Sequence, residues 1–343
     1  MTTGLVYVPS REHTLAGHPE HAGRLAAVWG RLEAADVLGQ VTPLTPQPAT
    51  TAQIVRVHAA EHQALISWAA AQGHGMLGPD TYVTAASADA ALLAAGGACA
   101  AVDAVLSGAA HNALALVRPP GHHAGWNTVE GFCLYNNIAM AARQAQAIHR
   151  LRRVAIVDFD VHHGNGTQQI FEWDDSVLFI SLHMFAPYFY PGTGNLDEIG
   201  LGEGRGYTLN VPLGPGTGDK GYAQMFEEVI RPKITSFAPE LILVSAGFDA
   251  HWRDPLAEAR LSLRGYAHLT RSLIGWADQY CQGRIVFILE GGYLLEALSH
   301  GVLNTLYALL GQDEIVDPLG PCPNPERDIT ALLVKLRQRH LLG

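Results

Sequence analysis

Six short apolar runs rich in branched side chains recur along the chain: ALALV at 113–117, VAIV at 154–157, VLFISL at 177–182, YTLNV at 207–211, LILVS at 241–245 and IVFIL at 285–289. Most run without polar alternation, so both faces of such a strand must be covered. Helix-like stretches lie between them at 136–150, 219–237, 262–281 and 294–310. This alternation predicts an α/β fold: a doubly wound, mostly parallel sheet of about eight strands flanked by helices. With 343 residues, 48% of them hydrophobic and 16% charged, the chain has ample material for a large core. Residues 1–343 read as one domain, with its core over about 5–310. The remainder, 311–343, reads as a proline-rich surface loop at 312–327 and a C-terminal helix at about 326–341. No repeat, low-complexity block or linker interrupts it.

Composition excludes several function classes. The formal net charge of −10 argues against direct nucleic-acid binding, which needs clustered Lys and Arg. Cys99, Cys133, Cys281 and Cys322 form no CxxC pair, so neither a thiolate zinc site nor a disulfide framework is indicated. Reduced thiols and the absence of a signal-like N-terminus predict a cytoplasmic protein. The apolar stretches are expected to fall short of the ~18–20 residues of a membrane span. The histidine count, 17, invites a search for metal ligands.

The chemistry is written just beyond the strands. ALALV leads to RPPGHH (118–123), VAIV to DFDVHHGNGT, VLFISL to His183, LILVS to AGFDAH (246–251) and IVFIL to EGGY (290–293). In an open parallel sheet, ligands bind in the crevice beyond the carboxyl ends of the strands. Polar groups arriving there from several strands meet in one pocket. Asp158, Asp160 and His162 stand at i, i+2 and i+4, so an extended chain points them the same way. Asp160 and His162 can each give a metal one ligand, and Asp249 is the candidate third. Two carboxylates and one imidazole suit zinc or ferrous iron. Helix capping by the aspartates, with a core His162, would explain this stretch alone; the other strand ends favour the pocket. His122 and His123 suit general acid–base work beside a metal-bound water. Asp158 could orient one of them and Asn165 the other. Tyr293, after two glycines, can donate to a developing oxyanion.

RPPGHHA, GFCLYNN, DFDVHHGNGTQ, SLHMFAPYFYPGTG, AGFDAHWRDPL and LEGGY together resemble the histone deacetylase and acetylpolyamine amidohydrolase superfamily, in order and spacing, from about residue 5 to 310. The likeness is closer to class II deacetylases and their bacterial homologues, because Asn165 stands where class I enzymes usually carry aspartate. The resemblance implies an arginase–deacetylase fold and a zinc-dependent deacetylase. Asp160, His162 and Asp249 then match the zinc ligands, with Fe2+ an alternative metal. His122 and His123 match the histidine pair, His123 being the proton shuttle, with Asp158 and Asn165 as their partners. Tyr293 matches the tyrosine that polarises the scissile carbonyl. Gly131, Phe132 and Tyr190 match the walls of the acyl-lysine tunnel, where phenylalanine is usual at the last position. Leu256 matches a rim position that carries glutamate in polyamine-selective members, and Asp80 a rim aspartate that contacts substrate backbone. Structural K+ is implied at the carbonyls of Asp158, Asp160 and His162 with Ser181 and Leu182. A second K+ site is implied near Phe171, Val177 and Tyr207, where Asp174 replaces a usual threonine. Arg24 and Cys133 resemble residues of an internal acetate-release cavity. The implied substrate is an acyl-lysine protein or peptide, with an acetylated polyamine or small amine as the alternative. The absence of a long insertion before RPPGHH favours lysine.

Rival readings are weaker. HAAEH at 58–62 matches a short metalloprotease pattern but lacks an identifiable downstream glutamate ligand. His13, His18 and His21 could mimic a metal cluster; rim packing explains them. GLGEGRG (200–206) precedes a strand and has the wrong glycine spacing for a dinucleotide loop. A ureohydrolase would carry more carboxylates for paired manganese ions. A silent acyl-lysine binder would have no need of a proton-shuttling histidine pair.

Overall fold

The computed structural model describes residues 2–341. Its strands are β1 (Thr3–Val8), β2 (Val41–Leu44), β3 (His74–Met76), β4 (Tyr82–Thr84), β5 (Asn112–Val117), β6 (Val154–Asp158), β7 (Val177–Met184), β8 (Thr208–Leu213), β9 (Leu241–Ala246) and β10 (Ile285–Leu289). Eight of them form one sheet in the order β2-β1-β5-β10-β9-β6-β7-β8. Every neighbouring pair is parallel. Strands β3 and β4 make a separate antiparallel hairpin.

Alternate residues of each strand enter opposite cores. Ala155 and Val157 pack with the helices Gly23–Ala34, Leu263–Cys281 and Leu295–Leu309, whereas Val154 and Ile156 pack with Ser87–Leu106 and Asn137–His149. Both faces of the sheet are therefore covered, as the apolar runs require. Helix starts follow capping chemistry: the side chains of Asn136 and Ser262 accept from the Ala139 and Gly265 amides.

Two expectations need correction. The helix Ser87–Leu106 is long and apolar enough to cross a membrane by length and composition, contrary to the reading that no stretch is. Yet 67% of its apolar window is buried inside the fold, and a Cβ on its Gly96 would lie 1.7 Å from the Gln47 carbonyl. Its small residues let it pack close to its neighbours. The stretch 219–237 is not one regular helix: a π turn, Phe226–Ile230, joins Asp219–Met225 to Arg231–Phe237. Pro232, with no N–H to donate, stands in the first turn of the helix that follows, with Arg231 between it and the π turn. The C-terminal helix begins at Thr330, where the Asp328 side chain accepts from the Thr330 amide.

The placement of the site follows from strand order. β5, β10, β9 and β6 are consecutive in the sheet. Their carboxyl ends lead into Arg118–His123, Glu290–Tyr293, Gly247–Asp249 and Asp158–His162.

Candidate active site

Asp160, His162 and Asp249 offer ligand atoms that all lie within 4.8 Å of one another, the one such group among the described residues. His162 Nδ1 lies 3.1 Å from Asp160 Oδ1 and 3.4 Å from Asp249 Oδ2. Close approach depends on missing side chains: a Cβ on Gly247 would sit 2.1 Å from Asp160 Oδ2, and one on Gly291 2.0 Å from Asp249 Oδ2. Backbone amides orient the acids. Gly291 N–H donates to Asp160 Oδ2 at 2.8 Å and Val161 N–H to Asp249 Oδ1 at 2.9 Å. Asp249 Oδ2 is buried, and among the described residues its one close partner is the long 3.4 Å contact to His162 Nδ1. A buried carboxylate oxygen so weakly paired is costly in the interior. Burial opposes charge on Asp160, but His122 and His162 outweigh it and hold its pKa far below the usual range. Burial likewise opposes charge on His162, yet bonds to Asp160 and Asp249 drive its pKa up to about 10. Two acids competing for one imidazole proton fit a site built for a cation. The two-carboxylate, one-imidazole donor set fits a divalent ion of borderline hardness.

The histidine pair is held in two different states. His122 Nδ1 lies 2.9 Å from Asp158 Oδ2, and His123 Nδ1 2.7 Å from Asn165 Oδ1. Burial lowers the pKa of His122, but Asp158, Asp160 and Glu290 overcome it and raise it to about 10. At His123 the Asn165 amide and Asp160 count for less. Burial, then the positive neighbours His122 and His162, push its pKa well below the ordinary value. At neutral pH His122 is the cation and His123 a neutral base. A carboxylate partner on one imidazole and an amide on the other thus drive the pair apart.

Above this floor lies a cavity of about 310 Å³. Its walls include Gly131, Phe132, Phe189, Tyr190 and Tyr293, with Asp80 and Leu256 also lining it. Phe189 stacks on His162 with ring centroids 5.1 Å apart, and Tyr190 meets His123 edge-on at 5.0 Å. The wall therefore uses Phe189 as well as the expected Tyr190. The Tyr190 hydroxyl is buried; burial, then the nearby Glu130 carboxylate, raises its pKa, so it stays a phenol. Tyr293 faces Phe132 edge-on at 5.9 Å, and the Arg24 guanidinium lies 5.0 Å from its ring centre. Burial raises the Tyr293 pKa well above normal, so it remains a phenol donor. Asp80 Oδ1 accepts from the Gly131 amide at 3.2 Å, which ties the rim to the tunnel wall.

Several positioning residues escaped sequence reasoning. Glu290 accepts from the Gly121 and His122 amides at 2.7 and 3.2 Å and so braces the RPPGHH turn. Asp254 Oδ2 accepts from the Tyr293 and Leu294 amides at 2.8 and 3.0 Å. Both lie inside the quoted EGGY and DPL segments, the only signal they gave. Glu20 gave none. It is fully buried and accepts from Arg118 Nε and, at 3.2 Å, from Arg24 Nη1. Cys133 Sγ donates to the Gly131 carbonyl at 3.2 Å.

Other sequence candidates lie elsewhere. Ser181 pairs in register with Asp158, and Leu182 follows it on β7. Phe171, Val177 and Tyr207 gather at the opposite end of the sheet, where Arg143 Nη1 lies 2.6 Å from Asp174 Oδ2. His58 and His62 stack at 4.4 Å and bond to the Gly125 and Leu134 carbonyls, as core histidines. His13 bonds Ser87 and His18 bonds the Asp80 carbonyl, while His21 stays with its own turn. GLGEGRG forms a short 3₁₀ turn before β8.

A family model described as "Histone deacetylase domain" matches residues 18–309. A "Probable deacetylase" of Archaeoglobus fulgidus is 39% identical, over 100% of this chain and 94% of that protein. A "Histone deacetylase-like amidohydrolase" of Pseudomonas aeruginosa is 40% identical, over 81% of this chain and 73% of that one. The crystal structure of the HDA15 HD domain superposes with a TM-score of 0.91 at 38% identity, covering 99% of this chain and 94% of that chain. Its parallel sheet, the cavity at the strand ends and these likenesses together place the chain in the histone deacetylase family of amide hydrolases, with the arginase–deacetylase fold.

Proposed function

We propose that the protein is a zinc-dependent deacetylase that removes acetyl, or another short acyl group, from the ε-amine of lysine. The observation that carries this is the convergence of the Asp160, His162 and Asp249 cluster, the His122–His123 pair and Tyr293 on one narrow aromatic cavity. Asp160, His162 and Asp249 would hold the metal, which when bound acidifies water and polarises an acyl carbonyl. The walls, including Phe132, Phe189 and Tyr190, suit an extended aliphatic stem. His123, its Nδ1 proton engaged by Asn165, takes a proton from the attacking water through Nε2. The tautomer follows from the hydrogen bond. Tyr293 donates to the oxyanion as it forms, an interaction worth about 3 kcal/mol for a well-placed donor. His123 then returns the proton to the leaving amine, which departs as free lysine beside a carboxylate. His122 keeps its charge throughout, fixed by Asp158. Leu256, apolar at the cavity, favours a lysine side chain over a polyamine cation. The family resemblance supports potassium at the Asp158–Leu182 site; at the second site the Asp174 carboxylate already serves Arg143 and Ser176.

The test is a side-by-side panel of acetyl-lysine peptides, longer acyl-lysines and acetylpolyamines, with chelated and zinc-restored protein. Acetyl-lysine turnover that follows zinc is the expected result. Full turnover by metal-free protein, or by Asp249→Ala, would overturn it.

A further inference from the structure

We propose that Glu130 is a positioning residue that fixes the proton of His123 through the Asn165 side chain. The chain of contacts is explicit. Glu130 Oε1 accepts from Asn165 Nδ2 at 2.8 Å, and Asn165 Oδ1 faces His123 Nδ1 at 2.7 Å. An amide has two ends, and its orientation decides which tautomer its imidazole partner adopts. With the carbonyl toward His123, Nδ1 carries the proton and Nε2 presents a lone pair to the cavity. With the amide reversed, the NH2 group faces Nδ1, the proton moves to Nε2 and the base is lost. Asn165 by itself has no strong preference between the two. A carboxylate accepts only, so Glu130 admits just the NH2 end and dictates the first orientation.

The backbone around Glu130 is tied into a turn. Its carbonyl accepts from Cys133 N–H at 3.0 Å, in the tight turn that also carries Gly131 and Phe132 at positive φ. Glu130 and Asn165 also line a second, polar cavity of about 230 Å³, together with His163, Gln168, Glu172 and Glu198. Glu130 therefore stands behind the wall of the catalytic cavity, with its carboxylate beside the Tyr190 hydroxyl of that wall. Where an aspartate would act on the histidine directly, this chain uses an amide and puts the carboxylate one hydrogen bond further back.

The kinetic half of the proposal rests on the reading of His123 as the proton carrier; the tautomer half does not. The test combines both. Nitrogen-15 spectra of the metal-free protein, with His123 assigned by difference against His123→Gln, read the tautomer directly. A single Nδ1–H form is expected in the native protein and a mixture of both forms in Glu130→Ala. In the zinc-loaded protein, Glu130→Ala lowers kcat about fivefold as the pinned orientation is lost; the tautomer and kcat carry the test, because the Glu130 carboxylate also lies beside the Tyr190 hydroxyl in the cavity wall and its loss can move KM. Asn165→Asp, which sets two carboxylates against each other, lowers kcat at least about tenfold. Adding Glu130→Gln to Asn165→Asp recovers activity relative to Asn165→Asp alone, because the new amide donates to the new carboxylate. A single tautomer in Glu130→Ala, or no recovery in the folded double variant, overturns the proposal. A tautomer mixture in a protein with no deacetylase activity would sustain the relay and sink the enzymatic reading instead.

Discussion

Replacing Glu20 with glutamine tests how the site is held from below. Glu20, Arg24 and Arg118 are all 0% exposed. Glu20 Oε2 accepts from Arg118 Nη2 at 2.7 Å and from the Tyr82 hydroxyl at 3.3 Å. Arg24 in turn donates to the Gly292 and Glu290 carbonyls at 2.8 and 2.6 Å, and its guanidinium underlies Tyr293. Burial penalises the Glu20 charge, but the two guanidinium groups outweigh that and carry its pKa from 4.5 down to about 2. That drop is worth roughly 3 kcal/mol. Removing one partner of a buried ion pair costs about 3–5 kcal/mol, a consistent range. At roughly 2 cal/mol/K of unfolding entropy per residue, the 343 residues convert this into a fall in Tm of about 4–7 °C. The pH dependence has a definite sign. A depressed carboxyl pKa stabilises above the unfolded value, near 4.5, and that stability is lost as pH falls toward 2. Scanning calorimetry of native and Glu20→Gln proteins should show the full gap at pH 7 and a narrowing gap below about pH 4.5. The variant should also lose turnover, since Arg24 no longer has a fixed counter-charge beneath Tyr293. A gap under about 1 °C at pH 7, or one that stays constant into acid, would refute the electrostatic account.

Tyr293→Phe should cut kcat by about 10²–10³-fold while KM and zinc content hold, because the ring keeps its contacts with Phe132 and Arg24. Unchanged kcat in stopped assays would remove the phenol from the mechanism. Leu256→Glu places a carboxylate in the cavity wall, where Leu256 is 37% exposed. One solvated charge pair is worth up to about 1 kcal/mol, so kcat/KM for acetylspermidine relative to an acetyl-lysine peptide should rise up to about fivefold. An unaltered ratio would show that this position does not select substrates.

The parts of the fold that were legible are those whose physics is local. β5, β6, β7, β9 and β10 announce themselves because a strand covered on both faces reads as a near-continuous apolar run, polar only where it needs a partner or enters the site. β2, with Pro43 on a half-exposed edge, gives no such signal. The π turn at Phe226–Ile230 leaves no trace in the apolar spacing, and the Ala/Gly-rich helix Ser87–Leu106 announces its burial only through its neighbours. The site divides the same way. Asp158, Asp160 and His162 share one short segment, so their convergence can be inferred from strand geometry. Glu20 and Arg118 are 98 residues apart, and Glu130 and Asn165 are 35 apart. Pairs of that kind depend on which loops the sheet order brings together, and no periodicity records them. Phe189 was overlooked for a smaller reason: the turn it shares with Tyr190 turns both rings toward the histidines.

The floor of the cavity makes a final demand on charge. Asp158, Asp160, Asp249 and Glu290 are all 0 or 1% exposed. Burial raises Asp158 to about 6 and Glu290 to about 7, so each ionises near neutrality only against opposition. His122 and His162 are the imidazoles driven cationic beside them. Four acids against two imidazoles leave an excess of negative charge that the interior tolerates poorly. A divalent cation at Asp160, His162 and Asp249 would relieve it, and a ligand that binds only the folded state stabilises that state. At a free zinc concentration of about 1,000 times Kd the gain is about 4 kcal/mol, which over 343 residues raises Tm by about 6 °C. Chelation should reverse the shift, and Asp249→Asn should abolish it. His162 must release a proton to serve as a ligand, so the zinc-dependent shift should shrink as pH is lowered. If thermal scans of the native protein coincide in zinc and in chelator, these buried acids are balanced by other means and the triad is not a metal centre.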